Sequence, residues 1–135
     1  HFFFKERWYG FDDGLYAAAR LLEILATRAE EPEEVFAELP KAISTPELKI
    51  AMQEGEPHAF IDAFVATARF EGARVSTIDG VRADWPDGWG LVRASNTTPI
   101  LVLRFEADTE EALDRVKGAF RERLLAQRAD LVLPF

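Results

Sequence analysis

The sequence predicts an α+β fold, a mostly antiparallel sheet with helices packed on one face. Three observations carry that reading. From Thr45 onward the apolar residues follow the order strand, helix, several strands, helix. Asp79-Gly80 and Pro86-Asp87-Gly88 are tight-turn signals set between short alternating runs. The 135 residues are 48% hydrophobic and 30% charged, ordinary values for a chain with a real core.

Residues 2–11 hold Phe2, Phe3, Phe4, Trp8, Tyr9 and Phe11, more rings than ten residues can bury by themselves. Asp12 and Asp13 suit the positive end of a following helix. Leu15, Ala18, Leu22 and Leu25 recur at spacings of three and four, so 13–28 reads as an amphipathic helix. Pro32 opens a second, short helix to Leu39, and the Glu30–Glu34 run reads as its solvated start. Ser44-Thr45-Pro46 reads as a boundary. The chain therefore divides into a piece of one domain, residues 1–42, and a complete unit, residues 43–135.

In that unit, Leu48, Ile50 and Met52 alternate with Lys49 and Ala51, the period of a strand. Gly55-Glu56-Pro57 ends it, and Phe60, Ile61, Phe64, Val65 and Ala68 make one face of a helix. Val75–Ile78 and Val81–Trp85 are strands joined at Asp79-Gly80. Trp89–Arg93 is the next strand, 94–99 a polar loop and Ile100–Phe105 an apolar strand. Asp108 or Thr109 caps a last helix whose first turn holds Glu110 and Glu111. Its buried stripe is Leu113, Val116, Phe120 and Leu124.

Composition narrows the function. The net charge of −8 repels nucleic acid and anionic lipid on average, while leaving room for a small anion held by a few local arginines. With no cysteine there is no disulfide framework, thiolate metal site or Cys nucleophile, which fits a cytoplasmic protein. No run approaches the roughly 20 apolar residues that span a bilayer. The opening His1-Phe2-Phe3-Phe4 is cut short by Lys5, so it is no signal peptide. The abrupt start, without Met, reads as that of a fragment.

The chemistry is expected in Arg93-Ala94-Ser95-Asn96-Thr97-Thr98-Pro99. Arg93 closes a strand, where its guanidinium can grip a phosphate through paired hydrogen bonds. Ser95, Thr97 and Thr98 offer hydroxyl donors. Asn96 tolerates unusual φ, which would help successive N–H groups turn inward as an anion nest. Arg104 adds a second charge if it faces the loop. By composition alone, the same segment also reads as a plain polar hairpin loop.

That segment, preceded by Gly-Trp-Gly-Leu-Val and followed by Ile-Leu-Val-Leu-Arg-Phe-Glu-Ala, resembles the C-terminal domain of bacterial phosphomannomutase/phosphoglucomutases, members of the phosphohexomutase family. Phe4-Lys5-Glu6-Arg7-Trp8 and Gly10-Phe11-Asp12-Asp13-Gly14 are similar to the end of that family's third domain, so the resemblance runs along essentially the whole chain. It implies a TBP-like C-terminal domain preceded by a helical remnant of an α/β domain. It also implies that Arg93, Ser95, Asn96 and Thr97 bind the phosphate of a glucose or mannose 1- or 6-phosphate, or of the 1,6-bisphosphate. His1 would match the histidine ending the sugar-recognition loop. The phosphoserine and magnesium loops of the family belong to earlier domains. The implied partners are therefore hexose phosphates and the remaining domains of a parent enzyme, with Mg2+ bound outside this chain and the fragment alone inactive.

Other residues read as structural. His58 is expected on the surface, Asp12 and Asp13 as caps and not a metal pair, and Trp85 and Trp89 as packing around the 86–88 turn. No dinucleotide-binding or P-loop pattern occurs. The rival from another class is a non-catalytic α+β binding or docking module, which has no need of Arg93 together with Ser95 and Asn96.

Overall fold

The computed structural model describes all residues from His1 to Phe135. They form two compact units, His1–Pro40 and Lys41–Phe135, each described by itself.

The first unit holds helix α1 (Gly14–Thr27) and helix α2 (Pro32–Ala37). Asp13 is the α1 N-cap, its carboxylate accepting from the N–H groups of Leu15 and Tyr16, both at 3.0 Å. Asp12, expected to share that role, does not cap. Its position pairs with Phe3 in an isolated bridge, and its carboxylate accepts from the Phe2 N–H at 3.2 Å. The rings make a local cluster, with Trp8 stacked on Tyr16 at 4.3 Å and Phe4 edge-on to Tyr16 at 5.6 Å. Arg7, at φ 59°, is held by a two-pronged pair with Glu23, both contacts 2.9 Å. No residue of α1 is buried, and the stripe read from its spacing lies open, with Leu15 at 86% and Leu22 at 65% exposure. The helix has an apolar face, but nothing in this unit covers it.

The second unit is a six-stranded sheet with two helices. In chain order it runs β1 (Ile43–Ser44), β2 (Leu48–Ala51), α3 (Glu56–Thr67), β3 (Arg74–Ser76), β4 (Val81–Trp85), β5 (Gly88–Ala94), β6 (Ile100–Ala107) and α4 (Glu110–Gln127). The strand order is β1-β6-β5-β4-β3, β2 also pairs with β6, and every pairing is antiparallel. The boundary read at Ser44–Pro46 needs correction. Ser44 pairs with Glu106, and Thr45 donates its N–H to the Phe105 carbonyl at 2.9 Å while its hydroxyl accepts from the Phe105 N–H at 3.2 Å. These residues carry the chain between two strands laid along one edge of β6. The two units divide between Pro40 and Lys41, two residues before the division read at 42/43.

Alternation along the strands sorts residues onto two faces. One face sends Ile50, Val81, Ala83, Val92, Leu101, Leu103 and Phe105 against Phe60 and Phe64 of α3 and Leu113, Val116, Phe120 and Leu124 of α4, all buried. Phe120 lies 4.5 Å from Phe70 and 5.4 Å from Phe105, centroid to centroid. Each such ring contributes on the order of 1.5–3 kcal/mol by leaving water. The α4 stripe is buried as its spacing predicts, and Thr109, not Asp108, caps the helix by accepting from the Ala112 N–H at 3.1 Å. The other face carries Arg82, Trp89, Leu91, Arg93, Val102, Arg104 and Glu106. There the Arg82 guanidinium stacks over Trp89 at 4.0 Å and binds Asp84 at 2.7 Å. This α+β architecture is the one the sequence predicts.

Candidate functional site

Arg93 and Ala94 end β5, residues 95–99 form the loop, and Ile100 begins β6. The register Ala94↔Leu101 closes the hairpin. Ser95 donates its N–H to the Ile100 carbonyl at 3.0 Å, and the Pro99 carbonyl accepts from the Met52 N–H at 2.9 Å. Both loop ends are thus tied to the sheet, while Asn96, Thr97 and Thr98 are exposed.

Inside the loop the polar groups converge on Ser95. Its Oγ accepts from the N–H groups of Thr97 and Thr98, each at 3.3 Å. The same oxygen lies 3.4 Å from Thr97 Oγ1 and 3.1 Å from Thr98 Oγ1. Three hydroxyls and two amides therefore share a space a few ångströms across. Hydroxyl protons rotate freely, so this cluster can turn donors toward an arriving anion. One expectation fails: Asn96 does not use the left-handed region, because Arg7 is the one non-glycine residue with positive φ. The turn closes on the Ser95 side chain, a hydroxyl-capped turn of ordinary backbone, and not on a nest built by an unusual Asn96 conformation.

Arg93 stands on the open face of the sheet, its side chain one-third exposed. Nη1 donates to the Ala94 carbonyl at 3.4 Å and lies 3.7 Å from the Asp79 carboxylate. Arg104 occupies the same face. Arg93 pairs with Val102, and Leu91 with Arg104, so the two arginines are diagonal neighbours on adjacent strands. Such neighbours lie about 7–8 Å apart, within reach for long side chains. Arg104 is exposed.

From the sequence Asp79 reads only as a turn residue. It sits beside Gly80, whose φ is 76° and whose missing Cβ would lie 2.2 Å from the Val92 carbonyl and 2.7 Å from Arg93 Cα. Only glycine lets the 77–80 turn press onto β5 there. A signal for this existed. The two-residue turn after Trp85 sets the β4–β5 register, and continuing it past Val81↔Val92 puts position 80 opposite 93.

His1 belongs to the first unit, where it is exposed and bonds Asp12 through Nδ1. His58 is exposed at the start of α3, as expected of a surface residue. Trp85 donates to the Glu71 carbonyl at 2.9 Å and packs edge-on against Phe70, while Trp89 reaches Glu106 at 3.2 Å. These are packing and sheet-face roles. No three His, Asp or Glu side chains gather where they could hold a metal ion. No helix is long and apolar enough to cross a membrane.

Comparison with known proteins follows the same segments. Residues 26–123 match the family model described as the C-terminal domain of phosphoglucomutase/phosphomannomutase. The chain is 56% identical, over its whole length, to a phosphomannomutase/phosphoglucomutase of Pseudomonas aeruginosa, and spans 29% of that protein. It is 57% identical over 99% of its length to a phosphoglucomutase of Neisseria meningitidis, again spanning 29% of the relative. A crystal structure of a phosphoglucomutase/phosphomannomutase family protein from Burkholderia thailandensis superimposes with a TM-score of 0.88 at 53% identity, covering 98% of this chain and 28% of that one.

Proposed function

Because the chain belongs to the phosphoglucomutase/phosphomannomutase family through its C-terminal domain, we propose that its loop Arg93–Thr98 holds the phosphate at the non-reacting end of a hexose phosphate. The parent enzyme, on this reading, interconverts the 1- and 6-phosphates of glucose or mannose. A phosphoserine outside this chain gives its phosphoryl group to the sugar hydroxyl. The bisphosphorylated sugar reorients, and its other phosphoryl group returns to the serine. Magnesium would act on that outside part, and His1 would serve the sugar-recognition loop.

The observation that carries the proposal is the convergence of hydroxyls and N–H groups on Ser95 beside a partly exposed arginine. A site that must accept the same ligand in two orientations has to read what the orientations share. Rotatable hydroxyls and a guanidinium recognise phosphate without reading the sugar ring. Arg104, on the same sheet face, adds to the local field in a chain of net charge −8. Holding the remote phosphate fixes the position of the reacting one, and phosphoryl transfer depends chiefly on positioning and charge stabilisation.

The test is Arg93→Ala in a mutase that carries this chain. Loss of a charge-assisted phosphate contact costs on the order of 2–4 kcal/mol of transition-state stabilisation, about 30- to 1,000-fold in kcat/KM. The folding midpoint should barely move, because the side chain makes only weak contacts. A kcat/KM within a factor of a few of the unmodified enzyme would refute the role.

A further inference from the structure

We propose that Asp79 is a positioning residue for the anion site: it is the resident counter-ion that parks Arg93 when no phosphate is bound and that an incoming phosphate must displace. The inference rests on the phosphate reading of the Arg93–Thr98 loop and adds a competitor to it.

Three observations support it. First, Asp79 Oδ2 lies 3.7 Å from Arg93 Nη1, and this is the one acidic side chain within ion-pair distance of Arg93. Second, the approach is built into the backbone. Gly80, at φ 76°, lies so close to β5 that a Cβ would meet the Val92 carbonyl at 2.2 Å and Arg93 Cβ at 2.7 Å. The turn is thereby held against the residue it serves. Third, the pair is weak by design of its surroundings. Asp79 is 69% exposed, and the separation exceeds that of a direct hydrogen bond. A singly charged, solvated carboxylate can hold a guanidinium in place yet yield it to phosphate, which brings more charge and several acceptor oxygens.

The consequence is a brake on affinity. An anion at the loop must break the pair and bear the repulsion of the carboxylate. A parked Arg93 would discriminate against weakly held single-charge anions and release product more readily. Asp79 also suits a tight turn before glycine, which alone would explain its presence. Asparagine shapes such turns equally well but carries no charge, so Asp79→Asn separates the two roles. Asp62 supplies the control. It lines the same groove of about 320 Å³ as Asp79, with His58, Thr77 and Ala94, and is exposed, but makes no pair with Arg93.

The experiment is titration of the 15N-labelled chain with inorganic phosphate, followed through the Ser95–Thr98 amides. Asp79→Asn should tighten binding roughly two- to fivefold, the weight of an exposed ion pair. Asp62→Asn should tighten it less, by whatever the change in net charge alone provides. In an Arg93→Ala background the Asp79→Asn gain should vanish. Asp79→Ser, a second uncharged turn former, should match Asp79→Asn. If Asp79→Asn and Asp79→Ser leave affinity unchanged or weaken it, or gain no more than Asp62→Asn, the counter-ion role is overturned while the phosphate site stands. If Arg93→Ala binds phosphate as well as the unmodified chain, or the unmodified chain does not bind it at this loop, the underlying reading falls and the inference with it.

Discussion

Replacing Gly80 with alanine tests how the turn and the site are joined. The residue sits at φ 76°, where an L side chain is strained by about 1–2 kcal/mol. The added Cβ would also stand 2.2 Å from the Val92 carbonyl oxygen and 2.7 Å from Arg93 Cα and Cβ. Most of those neighbours are backbone atoms of a paired strand, so no rotamer change relieves the overlap. Relief requires the 77–80 turn to lift from β5, at the 1–3 kcal/mol typical of forcing atoms into packed space. Gly80→Ala should therefore destabilise the chain by about 2–5 kcal/mol. In a unit of this size that lowers Tm by roughly 10 °C or more. The assay is urea denaturation followed by tryptophan fluorescence, with Trp85 and Trp89 reporting on the same hairpin. Lifting the turn also carries Asp79 from Arg93, so any phosphate binding that survives should lose its sensitivity to Asp79→Asn. An unfolding free energy within about 0.5 kcal/mol of that of the unmodified chain would refute the packing argument.

Two further outcomes follow from the same structure. Gly118 is exposed inside α4, with nothing within 4 Å of where its Cβ would stand, so Gly118→Ala should raise stability by about 0.5–1 kcal/mol in the same urea assay. The Gln53 N–H and then the Arg128 guanidinium hold the Glu56 carboxyl below its ordinary 4.5. Because the folded state favours the charged form, this contribution is present above that ordinary value and is lost as pH falls through the lowered one. Glu56→Gln should therefore be less stable than the unmodified chain at neutral pH, and the gap should close in acid. A gap that stays constant from neutral pH into strong acid would contradict the assignment.

The sequence was most legible where local pattern and tertiary burial agree. Leu113, Val116, Phe120 and Leu124 form a stripe by spacing and are buried under the sheet. The same spacing in Leu15, Ala18 and Leu22 marks a face equally well, yet those residues lie exposed in the first unit. Periodicity says which residues share a side of a helix, but what covers that side depends on other segments. Asp12 and Asp13 were indistinguishable as caps, because which carboxylate reaches the first amides is decided by one residue of helix phase. At the loop, residue type indicated a cluster of hydroxyls at Ser95, Thr97 and Thr98. The means of closure was not legible, since Ser95 accepting two amides achieves with ordinary φ what Asn96 was expected to achieve with an unusual one. Asp79 was read only as a turn residue, because its contact with Arg93 depends on the hairpin register that sets Gly80 against β5. The turn residues that set that register were themselves recognised.

Phosphate binding by the Arg93–Thr98 loop is the central proposal. The most direct measurement is a 15N–1H titration of this chain with inorganic phosphate at low and high salt. Saturable amide shifts should be confined to Ser95–Thr98 and their strand neighbours. The affinity should be weak, because one phosphate contact leaves most of a sugar ligand ungripped, and weaker in high salt. Shifts that cluster elsewhere, or a loop that stays unmoved at phosphate concentrations that shift other amides, would contradict it.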